Sequence, residues 1–240
     1  MQELPLISIV TVVYNASATF EKTIKSVGGS TYSNIEYIVV DGGSRDGTID
    51  IIKRNRHIIS KWVSEPDKGI YDAMNKGVGM ATGKWIIFLG ADDILNNVIP
   101  AVAEQLKNEN TIYYGDVYMT GSQLIYAGVF TKFKIAYKNI CHQSIFYPRS
   151  VFEYYDFNLS YKIHADYDLN LRCFVDKRFS FKYINIIISE YCEAGFSTKN
   201  TDSFYAERRF KILQESYPLP VFWYAKIRYW IRRIVRREIN

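Results

Sequence analysis

Trp85–Leu89 is an uninterrupted apolar run of strand length, rich in β-branched and aromatic residues, with no alternating polar face. That pattern suits a strand covered on both sides, as in a parallel sheet. Gly83 and Gly90 bracket a run too short for a buried helix. Ile7–Val13 and Ile35–Val40 read as two further buried strands, and Ile58–Val63 as a weaker one. Polar loops and helical stretches separate them. Ser17 is a plausible cap for a first helix that Gly28-Gly29 ends. A second helix follows the loop Asp41–Thr48, with Asp46 as its cap, and a third spans about Tyr71–Ala81. This strand–loop–helix rhythm predicts a mostly parallel sheet with right-handed crossovers. The loops fall at strand carboxyl ends and should converge on one edge, where ligands of open α/β sheets sit.

Beyond Asp93 the rhythm changes. A helix around Pro100–Lys107 precedes Thr111–Thr120 and Leu124–Phe130, which alternate like antiparallel strands. Ser144–Tyr147 and Phe179–Ser189 read as strands, and Ala165–Val175 and Ser203–Tyr217 as helices. A last helix runs from about Val221 to Arg237, after Pro218 and Pro220. No linker separates independent domains.

Composition narrows the class. Of 240 residues, 48% are hydrophobic, ample for a core. Cys141, Cys173 and Cys192 are odd in number and widely spaced, fitting neither a disulfide framework nor a zinc site, and favouring a reducing compartment. Leu4–Val13 lacks a basic flank and reads as a first strand rather than a signal peptide. No apolar run approaches the roughly 20 residues of a membrane span. The chain carries 30 Lys and Arg against 25 Asp and Glu; six of the former and one of the latter lie in residues 218–240. The remainder is neutral, so the basic balance belongs to the tail. A neutral main body with clustered carboxylates argues against nucleic-acid binding.

The candidate chemistry sits at the strand ends. Asp92 and Asp93 follow the Trp85–Leu89 strand directly. Adjacent carboxylates repel unless a cation or donor hydrogens compensate. A hard divalent cation holding a phosphate is one solution, and a helix cap near Ile94 is the other. Asp166 and Asp168 begin a helix, where negative charge is favoured in any case. The first loop, Tyr14-Asn15-Ala16-Ser17, lacks the glycines of a dinucleotide fingerprint. The Asp41 loop lacks the final Glu of a calcium loop, since Ile52 stands there.

Four segments carry a resemblance: VTVVYNAS (10–17), VVDGGSRDGT (39–48), PDKGIYDAMNKG (66–77) and ATGKWIIFLGADD (81–93). Together with His142-Gln143-Ser144 and Ala165–Leu169 they resemble family 2 glycosyltransferases of the GT-A fold, in that family's order. The chain is most similar to small bacterial enzymes of surface-polysaccharide synthesis. The resemblance implies an α/β fold with a mostly parallel sheet, a smaller antiparallel acceptor-side part and a C-terminal amphipathic helix. It implies residues 1–217 as the catalytic domain, with a nucleotide-sugar half (1–97) and an acceptor half (98–217), followed by 218–240.

The activity implied is inverting transfer from a nucleotide-sugar donor to a hydroxyl of a saccharide, lipid-linked, acceptor. Asp93 would ligate Mg²⁺ or Mn²⁺, with Asp92 at the ribose or a metal-bound water. Tyr14, Asn15, Asp41, Asp67, Lys68, Asp72 and Asn75 would line the donor, with Tyr14 stacking on the base. His142 would lie on the phosphate or acceptor side, and Asp166 would be the base. The second carboxylate of many relatives is Gly42 here, and their Arg before the helix Asn is Met74, with Lys68 or Lys76 as substitutes. Gly195-Phe196-Ser197 resembles a loop over the site. A nucleotidyltransferase, or a nucleotide-sugar-binding protein without transfer activity, is the alternative.

In the tail, Trp223, Ile227, Trp230, Ile231, Ile234 and Val235 share one helical face, opposite Arg228, Arg232, Arg233 and Arg236. This is the pattern of an in-plane interfacial helix. It predicts a cytoplasmic protein docked peripherally on the inner, anionic face of a membrane. Packing on the protein's own core, or on a second copy in a homodimer, would cover the same face.

Overall fold

The computed structural model describes residues 4–126, 128–193 and 203–238; the Gly195–Ser197 stretch lies outside them. In chain order the first half contains β1 (Ile7–Val13), α1 (Phe20–Gly28), β2 (Ile35–Asp41), α2 (Thr48–Arg54), β3 (Lys61–Ser64), α3 (Ile70–Met80) and β4 (Trp85–Gly90). Then come β5 (Ile94–Leu95), α4 (Ile99–Ala103), β6 (Thr111–Met119), β7 (Leu124–Tyr126), α5 (Lys132–Ile135) and β8 (Ile145–Pro148). The chain continues through α6 (Ala165–Val175), β9 (Ser180–Tyr191), α7 (Ser203–Ser216) and α8 (Leu219–Glu238). Short 3₁₀ turns occupy His142–Ser144 and Arg149–Glu153.

One sheet runs β3-β2-β1-β4-β8-β6-β9-β5, with β7 added to β6. Its first four strands are parallel. Alternate residues of each serve opposite cores. Val10, Ile38, Val40, Ile86 and Phe88 face one side, toward α3, α5 and α6. Ile9, Tyr37, Val39, Trp85, Ile87 and Leu89 face the other, toward α1, α2 and α4. Both faces are covered, which is why these strands carry no polar alternation. Register aligns the strand ends: Val13 pairs with Asp41, Asp41 with Ser64 and Val12 with Gly90. The polar loops therefore leave from one edge.

The strands depart from their expected form in three places. β6 and β7 form the antiparallel hairpin, but β7 stops at Tyr126. β9 runs parallel to β6, with register shifts near Asp116. β3 begins at Lys61 rather than Ile58, and Ser60 donates its backbone N–H to the Tyr37 carbonyl just before it. Thr19 rather than Ser17 stands at the N-cap of α1, without a side-chain cap bond, and the Ser17 N–H donates to Asp46 Oδ2. The cysteines are free. The first turns of α8 belong to the main core: Tyr217, Val221, Phe222 and Ala225 are buried in the same cluster as Val10.

Candidate active site

β4 delivers the carboxylate pair. The next element is the two-residue β5 and α4 starts only at Ile99, so neither Asp92 nor Asp93 caps a helix. Asp93 is 1% exposed. Its Oδ1 accepts from the Cys192 N–H at 3.0 Å. Its Oδ2 accepts from the Gly90 N–H at 3.1 Å and from Gln143 Nε2 at 3.0 Å. Of about four lone-pair sites on a carboxylate, three are filled. A Cβ at Gly90 would stand 2.5 Å from Asp93 Oδ2 and 3.1 Å from Asp92 Oδ1. Both carboxylates thus turn back over one spot that any side chain would fill. Burial pushes both above the ordinary aspartate value; the Cys192 N–H opposes this at Asp93, and the charge of Asp92 adds to it. Among the described residues, no group of three or more His, Cys, Asp or Glu side chains is arranged to hold a metal ion.

Asp166 is held differently. It lies in the first turn of α6, whose N-cap is His164, and it makes no cap bond. Instead its carboxylate faces inward. Asn139 Nδ2 donates to Oδ2 at 2.8 Å, and the Tyr71 hydroxyl lies 2.9 Å from Oδ1. That hydroxyl also sits against the Ile163 carbonyl, and its single proton serves one acceptor at a time. His142 Nδ1 is 3.5 Å from Oδ2. Burial raises the Asp166 carboxyl, yet the hydrogen bond and charge of His142, then Tyr71 and the charge of His164, outweigh it and hold the group below the ordinary aspartate value. Its neighbour Asp168 points elsewhere, to Arg172 at 2.7 Å and the Tyr161 hydroxyl at 3.3 Å.

One 3₁₀ turn joins these two centres. His142 contacts Asp166, while the next residue, Gln143, binds Asp93. The charge of His142 also acts on Asp92 and Asp93.

The remaining expected residues divide into exposed and engaged groups. Asp41 is fully buried and accepts from the Gly43 and Ser44 N–H groups and the Ser44 and Ser64 hydroxyls. It organises its loop. Above it, a Cβ at Gly42 would meet Asp67 Oδ2 at 2.4 Å and Tyr14 Cδ2 at 3.4 Å. Asp67 therefore puts its carboxylate into the space that a side chain at position 42 would occupy. Tyr14 is 65% exposed, an aromatic face left open beside it. Asn15 adopts a positive φ of 48° and ties its loop to the next, accepting from Arg45 N–H at 2.9 Å while its own N–H binds Ser44. Lys68 is exposed. Asp72 accepts from the Lys68 N–H, and Lys76 pairs with Glu65 at 2.9 Å and Asp72 at 3.5 Å. Met74 is wholly buried in the core. Both amide atoms of Asn75 are engaged with the Phe157 backbone, at 2.9 and 3.0 Å.

Sequence reasoning gave no role to Tyr71, Asn139, Gln143 or the Cys192 backbone. Tyr71 and Gln143 lay inside the quoted motifs, but nothing in their spacing names the carboxylate each would reach.

The sheet, with loops gathered at one end of its parallel half, is a GT-A type glycosyltransferase fold. S. aureus TarS superposes with a TM-score of 0.70 at 15% identity over 87% of this chain, which spans 39% of that one. A mannosyltransferase from Pyrobaculum calidifontis, solved with GDP-Man and Mn²⁺, gives 0.66 at 16% identity, covering 92% of this chain and 68% of that one. The sequence goes further. Residues 8–165 match the profile "Glycosyl transferase family 2", and the chain belongs to that family. It is 36% identical over 203 residues to a Mycobacterium bovis PGL/p-HBAD biosynthesis glycosyltransferase, covering 80% of this chain and 78% of that protein. It is 27% identical over 239 residues to the Escherichia coli UDP-Glc:alpha-D-GlcNAc-diphosphoundecaprenol beta-1,3-glucosyltransferase WfgD, covering 96% and 92%.

Proposed function

We propose that this glycosyltransferase moves a sugar from a nucleotide-sugar to a hydroxyl of a lipid-linked saccharide by single displacement, with a divalent cation at Asp92 and Asp93 and with Asp166 as base. The observation that carries the reading is the His142–Ser144 turn, which braces an inward carboxylate at one end and the carboxylate pair at the other. Asp166, kept ionised, takes the proton of the acceptor hydroxyl. The freed oxygen bonds to the anomeric carbon from the face opposite the departing nucleoside diphosphate, and no protein nucleophile is needed.

The carboxylate pair fits Mg²⁺ or Mn²⁺. Such ions are commonly held by one or two carboxylates, with substrate phosphates and water completing the shell. The space over Gly90 meets that need, and both raised carboxyls gain from a cation. Bound there, the ion would neutralise charge on the departing diphosphate. In this reading Tyr14 and Asp67 take the base and ribose and Lys68 the phosphate charge; the exposed Tyr14 ring near Asp67 and the exposure of Lys68 support it.

The lipid linkage draws support from WfgD and from α8. Trp223, Ile227, Trp230, Ile231, Ile234 and Val235 are all about half exposed. The domain instead takes the N-terminal end of the opposite face, Val221, Phe222, Ala225 and Arg228, whose guanidinium stacks 4.1 Å over Tyr137. No helix among the described residues is long and apolar enough to cross a membrane. An in-plane docking on the inner membrane face suits this exposed stripe. Removing the whole helix is a poor test, because burial of Val221 and Phe222 contributes roughly 1.5–3 kcal/mol each. Ile227→Glu with Ile231→Glu leaves the core intact and should abolish pelleting with anionic vesicles; unchanged pelleting contradicts the docking. The function itself is tested by thermal shift against nucleotide sugars with and without Mn²⁺. One nucleotide class should stabilise the chain only with the ion; stabilisation by none, or equally without it, contradicts the reading.

A further inference from the structure

Outside the catalytic edge, α5 and α8 enclose a hollow of about 340 Å³ lined by Lys134, Tyr137, Lys138, Arg228 and Arg232. Four of its five walls are cationic. Arg228 and Arg232 are one turn apart on α8 and share a face. Lys134 donates to the Val129 carbonyl at 2.9 Å. The ammonium of Lys138 lies 3.8 Å over the Tyr126 ring. No salt bridge among the described residues involves Lys138, Arg228 or Arg232, and Arg228 Nε is buried without a hydrogen-bond partner. Burial lowers the Lys138 ammonium, and the charges of Lys134 and Arg232 lower it further. Converging like charges of this kind call for an anion.

Two neighbours say which anion. A second hollow of about 330 Å³ adjoins the first, sharing Arg228 and Arg232 but otherwise lined by Tyr224, Ile227 and Ile231. A cationic hollow opening into an apolar one matches an amphiphile with a highly charged head. On the other side, Lys138 is followed directly by Asn139, which donates to Asp166. The head would therefore sit beside the residue that precedes Asn139, whose amide steadies the base.

We infer that this hollow binds the diphosphate of a polyprenyl-diphosphate-linked acceptor, with the adjoining apolar hollow taking the start of the lipid. The inference rests on the lipid-linked acceptor reading and narrows it to a diphosphate linkage. Lys138 and Arg232 hold the head by charge-assisted hydrogen bonds, and Arg228 is set by its stacking on Tyr137.

Calorimetry of the full chain in neutral detergent, with farnesyl diphosphate as probe, tests it. The wild type should bind. Lys138→Gln with Arg232→Gln should weaken binding by about tenfold or more, the scale of losing hydrogen bonds to charge. Farnesol should bind both proteins equally weakly, and pelleting with phosphatidylglycerol vesicles should persist in the variant. No binding by the wild type, equal binding by a variant with an unchanged melting temperature, or a parallel loss of vesicle pelleting would overturn the inference, the last making the hollow a headgroup contact. The titration needs no sugar transfer, so the acceptor reading fails separately, if a phosphate-free lipid glycoside proves as good an acceptor as a diphosphate-linked one.

Discussion

The two carboxylate centres are both buried and share one 3₁₀ turn, yet their surroundings push them in opposite directions. At Asp92 and Asp93 burial dominates, and two adjacent negative charges are held with three protein donors on one of them. At Asp166 burial is outweighed by His142 and Tyr71. The first arrangement favours a neutralising proton or, in the proposed reading, a cation, whereas the second favours its own charge. Under the proposed roles, a cation site and a base site would thus be told apart by their environments, although the residue type is the same.

The largest effect expected from breaking this contrast is at Asp166. Asp166→Asn should lower kcat by about 10²-fold or more, the scale of a lost general base. A near-normal kcat would move the base elsewhere, and Asp168 is a poor replacement given its pairing with Arg172.

Tyr71→Phe probes positioning rather than chemistry. Loss of one hydrogen bond to a charged group predicts a fall in kcat of about tenfold. Because that bond helps hold the Asp166 carboxyl down, the acid limb of kcat should also move to higher pH. A fall in kcat with an unmoved pH profile would mean that Tyr71 serves only the core, through its stacking on Phe157.

The pH dependence sharpens the contrast without mutation. Burial raises Asp92 and Asp93 in the cation-free site, so protons compete with a cation for the pair as pH falls. Asp166, with a lowered value, remains ionised to lower pH. On acidification kcat/KM for the donor should fall first, and kcat at saturating donor only at lower pH. The stability signs are opposite as well. The raised pair destabilises the fold above its values and is relieved by protonation, whereas the stability linked to Asp166 is present above the unfolded value and lost as pH falls through the folded one. Coincident acid limbs for kcat and kcat/KM would contradict the assignment.

The smallest functional effect is expected at Asn75. Asn75→Ala removes both bonds to the Phe157 backbone and should cost about 1–3 kcal/mol of stability, read as a lower Tm. Donor KM should stay unchanged. A raised KM with unchanged Tm would return Asn75 to the donor side.

Much of the first half was legible in the sequence. Its strands are covered on both faces, so apolar runs mark them, and chain direction puts every following loop at one edge. The bracing of the carboxylates was not legible. Gln143 reaches Asp93 across 50 residues, the Cys192 N–H across 99, and Tyr71 reaches Asp166 across 95. Side-chain periodicity cannot encode such meetings. It is equally silent on strand direction, so β9 came out parallel to β6. The helical wheel of α8 identified its apolar and basic faces, but not that the domain would grip the start of the basic face and turn Arg228 inward.

The central claim is that one centre binds the donor through a cation and the other takes the proton. The most direct measurement is donor affinity with Mn²⁺, by calorimetry, beside turnover for two variants. Asp93→Ala should lose the Mn²⁺-dependent donor affinity while remaining folded, and Asp166→Asn should bind the donor like the wild type yet turn over at least about 100-fold more slowly. Undiminished Mn²⁺-dependent affinity in Asp93→Ala, or an equal loss of donor affinity in both variants, would contradict it.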